Sequence, residues 1–301
     1  MTAASGQTVQ RVTRQIGVYG KMGFLRIGPL NVTEPTTDRK PHALITGASA
    51  GIGTALAREY ARRGVPLVLT ARRADRLQSL AGELSAQVAV TVLPADLADP
   101  AAPKALFDQC QKLGLFIGTL VNNAGYGVPG RYLSSDWETH RDFLQVMQTG
   151  VAELCHRFLP AMESAGYGRI LNIASLAGLV PASAGHTLYG ANKVWLIRFS
   201  ECLALECRDR GVNVTALCPG FTWSEFHDVN GMRGNVSKLP GYLWQDAESV
   251  ARVGIDAVEA GRTVVLTKGI NKVIAGLSKY LPAPLARAIV SSKSKDFRDA
   301  D

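Results

Sequence analysis

No apolar stretch in the 301 residues approaches the roughly 20 that a membrane-spanning helix needs. The amino terminus lacks an apolar region followed by a small-residue cleavage site, so no secretory signal is expected. Cysteine is sparse: Cys110, Cys155, Cys202, Cys207 and Cys218 are odd in number and scattered, with no CxxC pair and no Cys/His cluster. That pattern gives neither a zinc spacing nor a disulfide framework, and reduced thiols in a cytoplasmic protein with no bound metal are expected. Charge of one sign is missing from the middle of the chain. The net +8 divides into +4 within residues 1–40 and +4 within residues 268–301, while residues 41–267 carry 20 basic and 20 acidic side chains. A neutral central region offers no basic face, so no nucleic-acid partner is expected. Repeats and low-complexity segments are also lacking.

What is present is ordinary for a globular chain: 47% apolar and 19% charged residues. Residues 1–40 show no sustained periodicity and read as an extension. From Pro41 onward, short apolar runs alternate with longer amphipathic ones. Strands are predicted over 42–46, 66–70, 88–93, 119–122, 169–174, 212–217 and 263–266. Helices are predicted over 52–63, 73–84, 102–113, 137–164, 188–210 and 245–260. The strand runs are rich in Val, Ile and Leu without strict alternation, as in a sheet buried on both faces. The β-α rhythm makes that sheet parallel and doubly wound, an α/β Rossmann-type fold in one domain with N- and C-terminal extensions.

The run Thr46-Gly47-Ala48-Ser49-Ala50-Gly51-Ile52-Gly53 joins the first strand to the first helix. Glycines there let backbone N–H groups approach a pyrophosphate, and the helix N-terminus adds partial positive charge. The position at a strand-to-helix junction points to a dinucleotide. About 20 residues further on, a site for NAD places an acid on the ribose 2′-hydroxyl. This chain has Ala71-Arg72-Arg73 instead, which removes the repelling carboxylate and offers a guanidinium for a 2′-phosphate.

The spacing Thr46-Gly47-x-x-x-Gly51-x-Gly53 resembles that of the short-chain dehydrogenase/reductase family. The resemblance runs from about Pro41 to Leu266 and implies an oxidoreductase that moves hydride between NADP(H) and a carbonyl or alcohol. It implies cofactor contacts at Gly47, Ser49, Gly51, Ile52, Gly53 and Arg72. Asp96 and Leu97 match the family's adenine position. Asn122-Asn123-Ala124-Gly125 matches its motif after the fourth strand, and Pro219, Gly220 and Thr222 its motif after the sixth.

Tyr189 and Lys193 lie four apart on a predicted helix and so share a face. A phenol with a pKa of about 10 exchanges protons poorly near neutrality. A nearby ammonium is expected to lower that pKa and make the pair a general acid/base. Ser175, at the end of a predicted strand, supplies a hydroxyl for a substrate oxygen. By the resemblance, Ser175, Tyr189 and Lys193 are the catalytic set, with Lys193 also binding the nicotinamide ribose.

One position departs from the family. Where many members carry an asparagine in the central helix, this chain reads Val146-Met147-Gln148-Thr149-Gly150. In the family that asparagine holds a water linking the lysine to solvent, and a thioether is only a weak acceptor. Three readings stay open: a neighbour such as Gln148 substitutes, turnover is slow, or the protein is an NADPH-binding sensor or scaffold.

Residues 222–243 and the adjoining Trp244 fall where the family places a substrate lid. Trp223, Phe226, His227, Met232 and Tyr242 there suit a lipophilic substrate, or pack under a loop. His186 and His227 read as surface or packing residues. Beyond Leu266, Ile270, Val273, Ile274, Leu277 and Leu281 mark one helical face among lysines, followed by an apolar patch over 286–290. The tail either docks on the domain or a partner subunit, or lies on an anionic membrane surface. The resemblance implies a homodimer or homotetramer formed through the helices at 137–164 and 188–210.

Overall fold

A computed structural model describes residues 40–182, 184–185, 187–225, 240–282 and 285, all within the second of the chain's two units, Asn31–Asp301. The extension before Lys40, His186, Phe226, His227, Met232 and the patch at 286–290 lie outside the described residues.

All seven strand regions read from the sequence form strands: β1 (His42–Thr46), β2 (Leu67–Thr70), β3 (Val90–Val92), β4 (Ile117–Asn122), β5 (Gly168–Ile173), β6 (Val212–Cys218) and β7 (Val264–Leu266). They make one sheet in the order β3-β2-β1-β4-β5-β6-β7, with every neighbouring pair parallel. The order reverses between β1 and β4. Beyond the carboxyl ends of those two strands lies the crevice in which doubly wound sheets take their ligands.

The helices between the strands are α1 (Gly51–Arg62), α2 (Ala74–Leu84), α3 (Ala102–Lys112), α4 (Trp137–Leu144), α5 (Gly150–Ser164), α6 (Thr187–Cys207) and α7 (Ala247–Glu259), with α8 (Gly269–Tyr280) after β7. Successive strand residues point to opposite faces, so each central strand feeds two cores. Ala43 and Ile45 join Leu67, Leu69, Leu171 and Leu217 against α1, α2 and α7. Leu44 joins Val68, Ile170 and Ala216 against α3, α5 and α6 on the other face. Burial on both sides explains why these strands lack a polar alternation.

The helix expected over 137–164 is present from end to end, with one widened turn in its middle. Residues Gln145–Thr149 form a π turn between α4 and α5, in which the Gly150 N–H donates to the Gln145 carbonyl. The widened turn lets the Asn192 Nδ2 of α6 donate to the Met147 carbonyl at 2.9 Å. Helix α6 stops before the expected Arg210. It tightens into a 3-10 turn at Arg208–Arg210, and Gly211 reverses the chain at φ 75°.

The amino edge of the sheet is closed by ion pairs. Arg169 is 2% exposed, donates from Nε to Glu259 at 2.8 Å and to the Gly168 carbonyl at 2.9 Å, and stacks over Tyr167 at 4.4 Å. Among the described residues no helix is long and apolar enough to cross a membrane, and no cluster of three His, Cys, Asp or Glu stands ready for a metal.

Candidate active site

At the carboxyl edge, β1 runs into the glycine loop. Gly47 takes φ +66°, and a Cβ there would stand 2.8 Å from the Ala124 Cα. A Cβ on Gly53 would fall 2.2 Å from the Gly47 carbonyl oxygen, so α1 can approach β1 only without a side chain. The N-cap of α1 is Ala50, which has no capping oxygen, and its first turn carries no acid. By contrast, Asp136 and Asp246 cap α4 and α7, accepting from Thr139 N and Ser249 N at 2.8 and 2.6 Å. The first N–H groups of α1 are therefore offered to an anion, which fits the pyrophosphate of a dinucleotide. Ser49 borders this loop, and Ile52 packs on the core beneath it.

Across the switch point, β1 and β4 are stitched together by side chains. The Thr46 hydroxyl accepts from Asn123 N at 2.9 Å and Ala124 N at 3.0 Å, and donates to the Val121 carbonyl at 3.2 Å. Asn123 Nδ2 donates back to the Thr46 carbonyl at 2.9 Å. Thr46, which the sequence reading placed in the loop motif but gave no role, thus holds the floor of the crevice. Gly125 lies against Met147, whose Sδ would be 2.6 Å from a Cβ at that glycine. Met147 is 2% exposed, in a small core with Leu97 and Phe143. Leu97 is thereby packed inward, while Asp96 is exposed and accepts from Ala98 N at 3.1 Å.

The two arginines after β2 diverge. Arg72 is exposed and forms no ion pair among the described residues. Arg73 turns to the glycine loop, donating to Ser49 Oγ from Nε and Nη2 at 3.3 and 3.2 Å, and pairs with Glu225 at 3.0 Å. Arg73 and Glu225 were missed by sequence reasoning. The arginine was legible beside Arg72, but its partner lies 152 positions away.

Ser175, Tyr189 and Lys193 come together. Ser175 lies two residues past β5 in extended geometry and caps a short turn, its Oγ accepting from Ala177 N at 3.1 Å. The same hydroxyl acts on the Tyr189 phenol, favouring its ionised form. Lys193, 6% exposed, donates from Nζ to the Ile173 carbonyl at 2.7 Å and stands 5.4 Å from the Tyr189 ring centre. The apolar surroundings of the phenol push its pKa up to about 12, against the opposing pull of the Ser175 hydroxyl. Burial brings Lys193 down to about 8, with the nearby Cys218 acting weakly the other way. The expected lowering of the tyrosine by its lysine is thus corrected. The ammonium is turned to a carbonyl, and desolvation of the phenolate dominates. Near neutrality the arrangement holds a neutral phenol, a proton source, above a buried cation.

Pro219 and Gly220 follow β6, and the Pro219 carbonyl accepts from Leu176 N at 2.8 Å, joining this segment to Ser175. The Thr222 hydroxyl, 4% exposed, donates to the Gly220 carbonyl at 3.1 Å and receives Gln245 Nε2 at 3.3 Å. Trp223 stacks on Trp244 at 4.0 Å, with Phe221 tilted against Trp244 at 5.6 Å. Asn271 of α8 presses on Gly220, 2.6 Å from where a Cβ would be. Gln245 and Asn271 had no signal in their own neighbourhood of the sequence.

The sequence profile of short chain dehydrogenases matches residues 41–231, and the chain belongs to that family, a family of oxidoreductases acting between CH–OH and C=O. The sulfoacetaldehyde reductase 2 of Chromohalobacter salexigens is 36% identical over 188 residues, 61% of this chain and 73% of its own. An uncharacterized oxidoreductase of Myxococcus xanthus is 34% identical over 81% of this chain and 93% of its own. A short-chain dehydrogenase from Sphingobium yanoikuyae, solved in complex with NADPH, superposes with a TM-score of 0.70 at 30% identity, covering 80% of this chain and 96% of that one. The family and the doubly wound fold expected from the sequence are both borne out.

Proposed function

We propose that the chain is an NADP(H)-dependent reductase of lipophilic ketones or aldehydes, and equally catalyses the reverse oxidation. Residues 41–267 form its catalytic domain, with 1–40 and 268–301 as extensions. The observation that carries the reading is the meeting of Ser175, Tyr189 and Lys193 at the carboxyl edge of a sheet whose α1 N-terminus, among the described residues, has no side-chain cap. Bound NADPH supplies the hydride. Gly47, Ser49, Gly51, Ile52 and Gly53 would hold its pyrophosphate, and Arg72 its 2′-phosphate. Asp96 and Leu97 would take the adenine side. Asn123, Ala124 and Gly125, with Pro219, Gly220 and Thr222, would line the nicotinamide half.

Ser175 orients the carbonyl oxygen through its hydroxyl. Tyr189, protonated across the neutral range, gives its proton to that oxygen. Lys193 keeps a positive charge below the phenol and stabilises the phenolate left behind. The aromatic stack of Phe221, Trp223 and Trp244 supports an apolar substrate. A second reading, an NADPH-binding sensor with weak turnover, is favoured by one observation: the buried thioether of Met147 against Gly125.

Helix α6 gathers its apolar side chains on no single face and keeps Val194 and Leu205 46% and 64% exposed, which supports a homo-oligomer paired through it. On α8, Val273, Leu277 and Tyr280 are exposed, with Lys272 and Lys279 beside them. That stripe supports peripheral contact with an anionic membrane surface by an otherwise cytoplasmic protein whose described cysteines are all free.

The test is the initial rate of NADPH oxidation across lipophilic ketones and aldehydes, with NADH and Tyr189→Phe as controls. Turnover that prefers NADPH and is lost in the variant is expected. A folded protein that binds NADPH but reduces none of them favours the sensor.

A further inference from the structure

Beside the cations at the adenosine end of the glycine loop the chain places an anion of its own. Glu225 lies in the segment after β6, yet it reaches the start of α2, on the far side of β1. Its carboxylate is 2.6 Å from Arg76 Nη1 and 3.0 Å from Arg73 Nη1. Arg73 shares its remaining fork with Ser49 Oγ in the glycine loop. The preceding residue, Ser224, lies against that loop, its Cβ 2.9 Å from the place of a Cβ on Gly51. The segment that leads to the substrate side is therefore tied to the phosphate loop at two adjacent residues.

The sequence lacks an acid after β2, where one would discriminate against a 2′-phosphate. Glu225 supplies one from across the sheet. A guanidinium fork serves a carboxylate or a phosphate with the same geometry. The three side chains are 40%, 42% and 45% exposed for Arg73, Glu225 and Arg76, and pairs that open to solvent are weak enough for a dianion to displace. Arg72, which forms no ion pair among the described residues, is available for the first contact.

We propose that Glu225 sets the discrimination between NADPH and NADH by competing with the 2′-phosphate for Arg73 and Arg76. NADPH draws the two arginines off Glu225 and releases residues 222–225 from the phosphate loop, whereas NADH leaves the bridge closed. The inference rests on the NADP(H) reading above.

The experiment measures dissociation constants of NADPH and NADH by nucleotide fluorescence, for the wild type and Glu225→Gln. Amide hydrogen exchange over 221–225 is followed in both complexes. The variant is expected to bind NADPH about two- to five-fold more tightly, the range that exposed ion pairs command, with NADH unchanged. In the wild type, exchange over 221–225 should be faster with NADPH than with NADH, and the variant should lose that difference. Weaker NADPH binding in Glu225→Gln would make the bridge a scaffold and overturn the proposal, as would equal shifts for both nucleotides. A wild type that binds the two nucleotides equally instead overturns the NADP(H) reading itself.

Discussion

Arg169 and Lys193 are both buried cations at the ends of the same sheet, 2% and 6% exposed. At the amino edge, Arg169 meets the Glu259 carboxylate, a backbone carbonyl and an aromatic face. At the carboxyl edge, Lys193 has one carbonyl and, among the described residues, no ion pair. Burial without a counter-charge costs the ammonium its stability, which is why its pKa falls to about 8. The helix ends repeat the contrast. Helix α7 is capped by Asp246, while α1 beside the crevice has only Ala50. Where the fold needs strength its polar groups are paired internally, and where it handles a ligand they are left partly unmet.

Two substitutions break this comparison from opposite sides. Lys193→Met should lower kcat by about 10²- to 10⁴-fold, the usual scale for losing acid-base assistance. It should also raise stability by about 2 kcal/mol, because an unpaired buried charge is gone. Steady-state rates and denaturant unfolding of the same preparation check both signs. Glu259→Ala strands the Arg169 guanidinium and should cost about 3 kcal/mol of stability, while the rate per folded molecule stays at the wild-type value.

The pH profile sharpens the comparison. Lys193 keeps its proton below about 8 and loses it above, while Tyr189, at about 12, stays protonated throughout the working range. For ketone reduction, kcat/KM should therefore fall as pH rises through about 8, since this parameter reports the free enzyme. A profile flat to pH 10 would separate Lys193 from the chemistry. Met147→Asn should raise kcat by a few-fold, on the order of what one hydrogen bond in a relay contributes. An unchanged or lower kcat would remove the relay from the account. The smallest effect is expected at α1: Ala50→Asp supplies the missing cap in an already extended backbone. It should add about 0.5–1 kcal/mol of stability while weakening NADPH binding, because the carboxylate claims N–H groups meant for phosphate.

Much of this is legible in the sequence. The strands could be read because runs such as Leu67-Val68-Leu69 are apolar on both faces, and the glycine loop because only glycine fits between β1 and α1. The helix over 137–164 was read to its ends, but its π turn at Gln145–Thr149 was not, because a partner on another helix, Asn192, takes up the Met147 carbonyl there. The direction of the Tyr189 pKa was misjudged for a related reason. Helical spacing showed that Lys193 shares a face with the phenol, but not that the Ile173 carbonyl would capture its amine. Glu225 was invisible because its meaning comes only from Arg73 and Arg76, brought close by a segment that crosses the sheet.

The most direct measurement is the unfolding midpoint of the wild type and Glu259→Ala, each with and without saturating NADPH. A ligand bound only by the folded state raises the midpoint by an amount set by its affinity. If the carboxyl edge binds and the amino edge only braces, NADPH raises both midpoints by the same increment, from a lower start in the variant. No increment in the wild type, or its loss in Glu259→Ala, would contradict that division of the sheet.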